Sequence, residues 1–356
     1  MKKIVMILMV VAMVAATPVF ADDDGLDVNM VLDQAFYTED GEVKSDINES
    51  AIQFNLEKGG VTAYADLEFT LASGDTTDDS FNLADFYVKA DLPTVFGLEE
   101  SDLCADVKVG YYQPGSNASA GGLSGYEPAY GGYGELSGDD LTIGLGVGYT
   151  DLMKVTVYTR PVWEDGSDET NKARGFDNQL LVVANGASGI FTYDAHYAKQ
   201  GEDNVNNTVG GSFVVDLESM VGLGLKVGAG LTSYLDDDTK DQKIGFNAKL
   251  DLGDLVIGLG TAYLNYDEKD MSAGLNVNYT LSDQVNLWAV GQVDHLIDTD
   301  AEDSNTVDYE LGASLAPADS CVTFYSGIVS GDASYNGITS TAKDEVAFFL
   351  RTRIKL

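Results

Sequence analysis

Apolar and polar residues alternate with period two in segment after segment of this chain, which is the pattern of a strand with two unlike faces. Val61, Ala63, Ala65, Leu67, Phe69 and Leu71 fall on one face, and Thr62, Tyr64, Asp66, Glu68 and Thr70 on the other. Leu141, Ile143, Leu145, Val147 and Tyr149 alternate with Thr142, Gly144, Gly146 and Gly148. The pattern recurs from Ile244 to Leu252 and from Met271 to Tyr279, and again from Val346 to Leu356. A soluble sandwich has the same alternation, so length must decide. These runs are about 10–13 residues long. A membrane strand needs roughly 9–11, whereas soluble strands peak near 5–6.

The connections point the same way. Short ones span 57–60, 150–153, 185–189, 217–221, 252–254, 280–284 and 316–320. Long polar ones span 38–46, 72–80, 113–140, 164–174, 200–206, 236–241, 265–270, 294–305 and 331–344. They alternate along the chain, except that 91–102 is long where a short turn is due. Membrane barrels have short turns at one rim and long loops at the other.

The predicted strands are 25–37, 47–57, 60–71, 81–92, 103–112, 140–150, 153–163, 175–185, 189–199, 207–217, 221–235, 242–252, 254–265, 270–280, 284–294, 306–316, 320–330 and 345–356. The reading is an all-β, transmembrane antiparallel barrel of about eighteen strands, with sixteen as the alternative. An even number puts both termini on the periplasmic side.

Residues 1–21 read as a secretory signal peptide: Lys2 and Lys3, an apolar run from Ile4 to Ala16, and small residues at Val19 and Ala21. Residues 22–356 then form a single barrel domain, expected in the bacterial outer membrane. The chain carries 58 acidic against 20 basic residues, a formal charge of −38. Nucleic acid is thereby excluded as a partner, because phosphate binding needs a basic surface.

The signal peptide running straight into a strand, the short and long connections over the whole chain and the alternating last strand together resemble a Gram-negative outer-membrane porin. In that family the last strand is the assembly signal and usually ends in Phe; here Leu356 stands there. The resemblance implies a passive channel for small hydrophilic solutes and ions, set among outer-membrane lipid and lipopolysaccharide and assembled as a homotrimer. It also implies that the loop after the fifth strand, 113–140, folds into the pore and constricts it. That loop carries Glu127, Glu135, Asp139 and Asp140 and no basic residue.

By parity the lumen wall carries Lys89, Lys108, Arg160, Lys226, Lys249, Arg351 and Arg353. Its acids include Asp66, Glu68, Asp85, Asp106, Asp308 and Glu310. Opposed charges across a narrow lumen orient polar solutes, and an excess of carboxylates favours cations. Cation preference is therefore the expectation. The alternatives are a substrate-selective channel of the same fold and a non-channel adhesin or structural barrel.

No cofactor is expected. Asp236-Asp237-Asp238 and the run from Asp298 to Asp303 could hold Ca²⁺ or Mg²⁺ loosely, since hard cations take carboxylate oxygens; neither has EF-hand spacing. Asp194 with His196, and Asp294 with His295, are the sole candidates for catalysis, without an accompanying motif, so no enzyme is expected. Cys104 and Cys321 begin strands too far apart in the ring for a disulfide. Tyr37, Tyr111, Tyr149, Tyr263 and Tyr279 sit near strand ends, where aromatic girdles form.

Overall fold

The computed structural model describes residues 26–39, 42–46, 50–70, 80–98, 102–116, 135–136, 140–149, 152–160, 179–200, 207–235, 242–265, 269–293, 296, 307–318, 320–330 and 346–355. Their strands are β1 (Leu26–Glu39), β2 (Glu42–Asp46), β3 (Ser50–Lys58), β4 (Val61–Thr70), β5 (Ser80–Asp91), β6 (Leu103–Tyr112), β7 (Asp140–Tyr149), β8 (Met153–Arg160), β9 (Gln179–Ser188) and β10 (Phe191–Lys199). The chain continues with β11 (Thr208–Asp216), β12 (Gly224–Tyr234), β13 (Gln242–Asp251), β14 (Leu255–Asn265), β15 (Lys269–Ser282), β16 (Val285–Val293), β17 (Val307–Leu315), β18 (Val322–Ser330) and β19 (Val346–Lys355).

Every strand pairs antiparallel with its chain neighbour from β3 to β19, and β19 closes the ring on β1. β2 and β3 are one stave in two pieces: β2 pairs with the second half of β1, and β3 with its first half. The barrel therefore has eighteen staves, which settles the count against sixteen. Closure removes every free sheet edge, so each backbone polar group can pair inside the wall.

The two faces separate as the alternation dictates. On β7, Leu145 is 53 % exposed and Val147 63 %, while Thr142, Gly144 and Gly146 are buried. On β19, Phe348 and Leu350 are exposed, and Ala347, Phe349 and Arg351 are buried. The exposed set faces lipid. Tyr111, Tyr149 and Tyr279 belong to it. Tyr37 does not: it lies opposite Phe349 and packs on the inward cluster of Trp288, Val290, Val329, Ala347 and Phe349. A position near a strand end says nothing of the face, and parity puts Tyr37 inside.

Gly59 and Gly60 close the β3–β4 hairpin with φ of 55° and 79°. Two positive φ values in a two-residue connection make a type I′ turn, which only small residues adopt freely. The long 91–102 connection contains a short helix, α1 (Leu92–Val95), started by Pro93. Asp91 donates its backbone N–H to Gly60 O, and Thr94 donates its hydroxyl to the Asp91 carboxylate at 2.5 Å. A second helical turn, α2 (Glu218–Val221), fills the β11–β12 connection. Cys104 and Cys321 are both free thiols.

Candidate functional site

The inner wall of β4–β8 gathers much of the charge named above. Asp66 of β4 is 9 % exposed; its Oδ2 accepts hydrogen bonds from Gln53 Nε2 at 2.9 Å and Tyr64 OH at 3.1 Å. Asp85 of β5 is its register partner. A β-bulge makes this pairing. Leu67 pairs with Leu83 but Asp66 pairs with Asp85, so Ala84 is the extra residue. A bulge re-aims the side chains beyond it. Without it Asp85 would stand opposite Ala65, on the outward face, where Phe54, Ala65 and Leu67 form a buried apolar cluster and a carboxylate is costly.

Asp106 of β6 binds Lys154 of β8 directly and stands 3.9 Å from Lys89. The Lys154 contact reaches across β7, because a Cβ on Gly146 would fall 2.5 Å from Asp106 Oδ1 and 2.6 Å from Lys154 Cε. Lys154 is a lumen residue that the sequence reading passed over, although it shares parity with Arg160. It opens its strand beside a turn, where parity is hardest to apply.

A row of tyrosines runs across the same wall. Tyr64 stacks on Tyr87 with centroids 5.1 Å apart; Tyr112 meets Tyr87 edge-on at 5.8 Å, and Tyr158 meets Tyr112 at 6.5 Å. The last pair also spans β7: a Cβ on Gly144 would sit 2.8 Å from the Tyr158 ring. The ammonium of Lys108 lies over two of these rings, 3.6 Å from the Tyr87 centroid and 3.8 Å from that of Tyr112. Such an arrangement holds a positive charge on the faces of aromatic rings.

Arg160, at the far end of β8, is almost fully buried; it donates Nε to Thr142 Oγ1 at 3.2 Å and Nη1 to Gln179 Oε1 at 3.0 Å. Glu68 is exposed on the inward face of β4. Lys226 pairs with Asp216 at 3.0 Å, and Lys249 stands beside it in register. Glu310 points inward but is fully buried, accepting the Trp288 Nε1 hydrogen bond at 2.7 Å beneath an apolar cluster. It is therefore a packing carboxylate rather than one of the water-facing acids. Arg351 lies 5.8 Å from the Tyr325 ring.

Two described residues show where the 113–140 segment goes. Glu135 bridges to Gly115, and its carboxylate accepts Gln113 Nε2 at 2.8 Å; its backbone O accepts Gln200 Nε2. Leu136 is completely buried against Leu181, Val183 and Ala198, with Tyr158 beside them. Leu181, Val183 and Ala198 share the inward face of β9 and β10 with His196. The segment thus lies on the inner wall at this point. Asp140 starts β7 and is exposed, its Oδ1 accepting the Leu141 N–H at 2.6 Å. Glu127 and Asp139 lie outside the described residues, as do the acidic runs at 236–238 and 298–303 and His295. Ser212 donates its hydroxyl to Asp194 Oδ2 at 2.7 Å, on the inward face that also carries His196.

No family model and no curated protein matches the chain. Solved structures do. Acinetobacter baumannii OccAB2 superposes with a TM-score of 0.60 at 10 % identity, over 95 % of this chain and 98 % of that one. Pseudomonas aeruginosa OccK5 gives 0.59 at 12 %, over 95 % and 99 %, and OprD from the same organism 0.58 at 13 %, over 93 % and 95 %. The fold is that of an outer-membrane porin. At this identity the likeness extends to the barrel, its stave number and its closure, and leaves the identities of the lumen residues to this chain.

Proposed function

We propose that this chain is an outer-membrane channel, exported by its signal peptide, through which small hydrophilic solutes and ions diffuse passively, with a preference for cations. The porin fold of the closed barrel supports the channel. The observation that carries the rest is the inner wall itself: its charged rows, and Leu136 packed among inward residues, which puts the 113–140 segment on the lumen side at that residue. Glu135, held by Gln113, then stands at the constriction, with Glu127 and Asp139 in the same segment. The acidic excess and the Asp66–Asp85 pair favour cations. Outer-membrane lipid and lipopolysaccharide are the surroundings of such a barrel, and homotrimers follow from the resemblance; mild cross-linking of the refolded protein counts the subunits.

The test is reversal potential in a planar bilayer under a KCl gradient. Discrete steps with a potential toward K⁺ are expected. Steps favouring Cl⁻ would move selectivity to Lys89, Lys108 and Lys154, and inserted protein without steps would overturn the channel. Leu136→Asp, which expels the segment from its apolar seat, should raise unit conductance; unchanged conductance would remove that segment from the constriction.

A further inference from the structure

We infer that Tyr87 and Tyr112 form a corner on the inner wall that binds a quaternary ammonium solute, in exchange with the ammonium of Lys108. The site deepens the channel reading and rests on it, because such a solute reaches the corner from the lumen. Two ring faces meet on one point. Lys108 Nζ lies 3.6 Å from the Tyr87 centroid and 3.8 Å from that of Tyr112, and the two rings are inclined at 65°. Tyr64 stacks on Tyr87 and Tyr158 meets Tyr112 edge-on, so each ring is held by another. Gly110 stands between Lys108 and Tyr112 on β6 and opposite Tyr87 on β5. A Cβ there would fall 2.6 Å from Tyr87 Cβ, so the glycine keeps the base of the corner clear.

The ammonium rests on these rings with no hydrogen-bond acceptor or ion-pair partner among the described residues. Asp85 attracts it through space and Lys89 repels it, while Asp106 is engaged by Lys154. A lysine ammonium carries three N–H donors and is strongly hydrated. Ring faces supply its charge with a partner but leave those donors unmatched. A quaternary ammonium has no N–H to satisfy, and aromatic cages are its usual hosts. The corner therefore favours a cation that needs no acceptor. Lys108 is half-buried, so its flexible stem can return the ammonium to lumen water as the solute enters. Asp85 stays behind as the attracting charge.

Choline is the probe, and its control is the uncharged alcohol of the same shape with carbon in place of nitrogen. Saturation transfer from the refolded barrel, in a non-ionic detergent, to the probe's methyl protons reads binding without ion flux. The native chain should give saturable transfer to choline and little to the alcohol. Lys108→Ser, which empties the corner, should lower the half-saturating choline about fivefold or more, because a tethered competitor is gone. Tyr87→Leu should raise it by about as much. Tyr149→Leu, on the lipid face, should leave it unchanged. Equal transfer to the alcohol, or the same half-saturation in Lys108→Ser as in the native chain, would overturn the site, and both readouts stand whether or not Tyr87→Leu folds. In bilayers, choline should reduce K⁺ current at lower concentration in Lys108→Ser than in the native chain. Absence of any K⁺ current would defeat the channel reading while leaving the transfer measurement to decide the site.

Discussion

Two parts of the inner wall obey the same in-and-out alternation and are built oppositely. Across β4–β8 the inward positions carry Tyr64, Asp66, Asp85, Tyr87, Asp106, Lys108, Tyr112, Lys154 and Tyr158, and the glycines of β7 are roofed by these neighbours. Across β12–β15 they carry Gly228, Gly230, Gly245, Gly258, Gly260 and Gly274, with Thr232, Asn247 and Asn276 between and the lysines Lys226, Lys243 and Lys249 in the same rows. Gly230 faces Gly245, and Gly260 faces Gly274. The alternation decides only which residues point inward; their size decides how far the wall intrudes. One wall is aromatic and carries charge of both signs. The other carries lysines and small polar residues, with glycine facing glycine at two places.

The outward faces should not share this difference. Leu145 behind the aromatic wall and Leu259 behind the other are both exposed, mid-strand and lipid-facing. Arg at either is expected to cost about 2–4 kcal/mol in a refolding titration. Arg at inward-facing Asn247 should cost much less, and parity of all three would dissolve the two-face assignment. A glycine on each wall comes next. Gly144→Val drives its side chain into the Tyr158 ring and should cost about 1–3 kcal/mol by overpacking. Gly260→Val, whose register partners are Asn247 and Gly274, should fold nearly as well as the native chain and lower unit conductance instead. Equal stability loss would mean that the second wall is as filled as the aromatic one.

The smallest contrast concerns two lysines. Lys108→Met removes a charge held by two rings and should cost about 0.5–2 kcal/mol while moving the reversal potential further toward K⁺. Lys249→Met should move the potential alike without loss of stability. If Lys108→Met left both unchanged, the ring contacts would be incidental.

The eighteen strands and most of their faces were legible because alternation is a local property, visible within one strand. What lies between strands was not. Tyr64, Tyr87, Tyr112 and Tyr158 are each inward by parity, yet their meeting depends on the register of four strand pairs and on a glycine at 144. Register is set by turns and bulges, and the one at Ala84 leaves no plain mark in the alternation. Lys154 went unnoticed beside its turn, and parity puts Glu310 inward, as found, but does not tell of its burial under Trp288, which is a tertiary fact. Of the four residues expected at a constriction, Glu135 is found on the inner wall and Asp140 at a strand start, while Glu127 and Asp139 lie outside the described residues.

The bare middle of β7 also bears on bore. Asp106 with Lys154, and Tyr112 with Tyr158, join two staves that are not hydrogen-bonded to each other, over the glycines of the stave between. Sliding β7 by two residues past either neighbour keeps every face correct and restores a full ladder, so alternation alone does not forbid it. It does change the shear, and with a fixed number of staves the shear sets the diameter. The two bridges would both be broken by such a slip. They work as a vernier on the stagger of the staves, and a pore so gauged should conduct at one level rather than a spread of them.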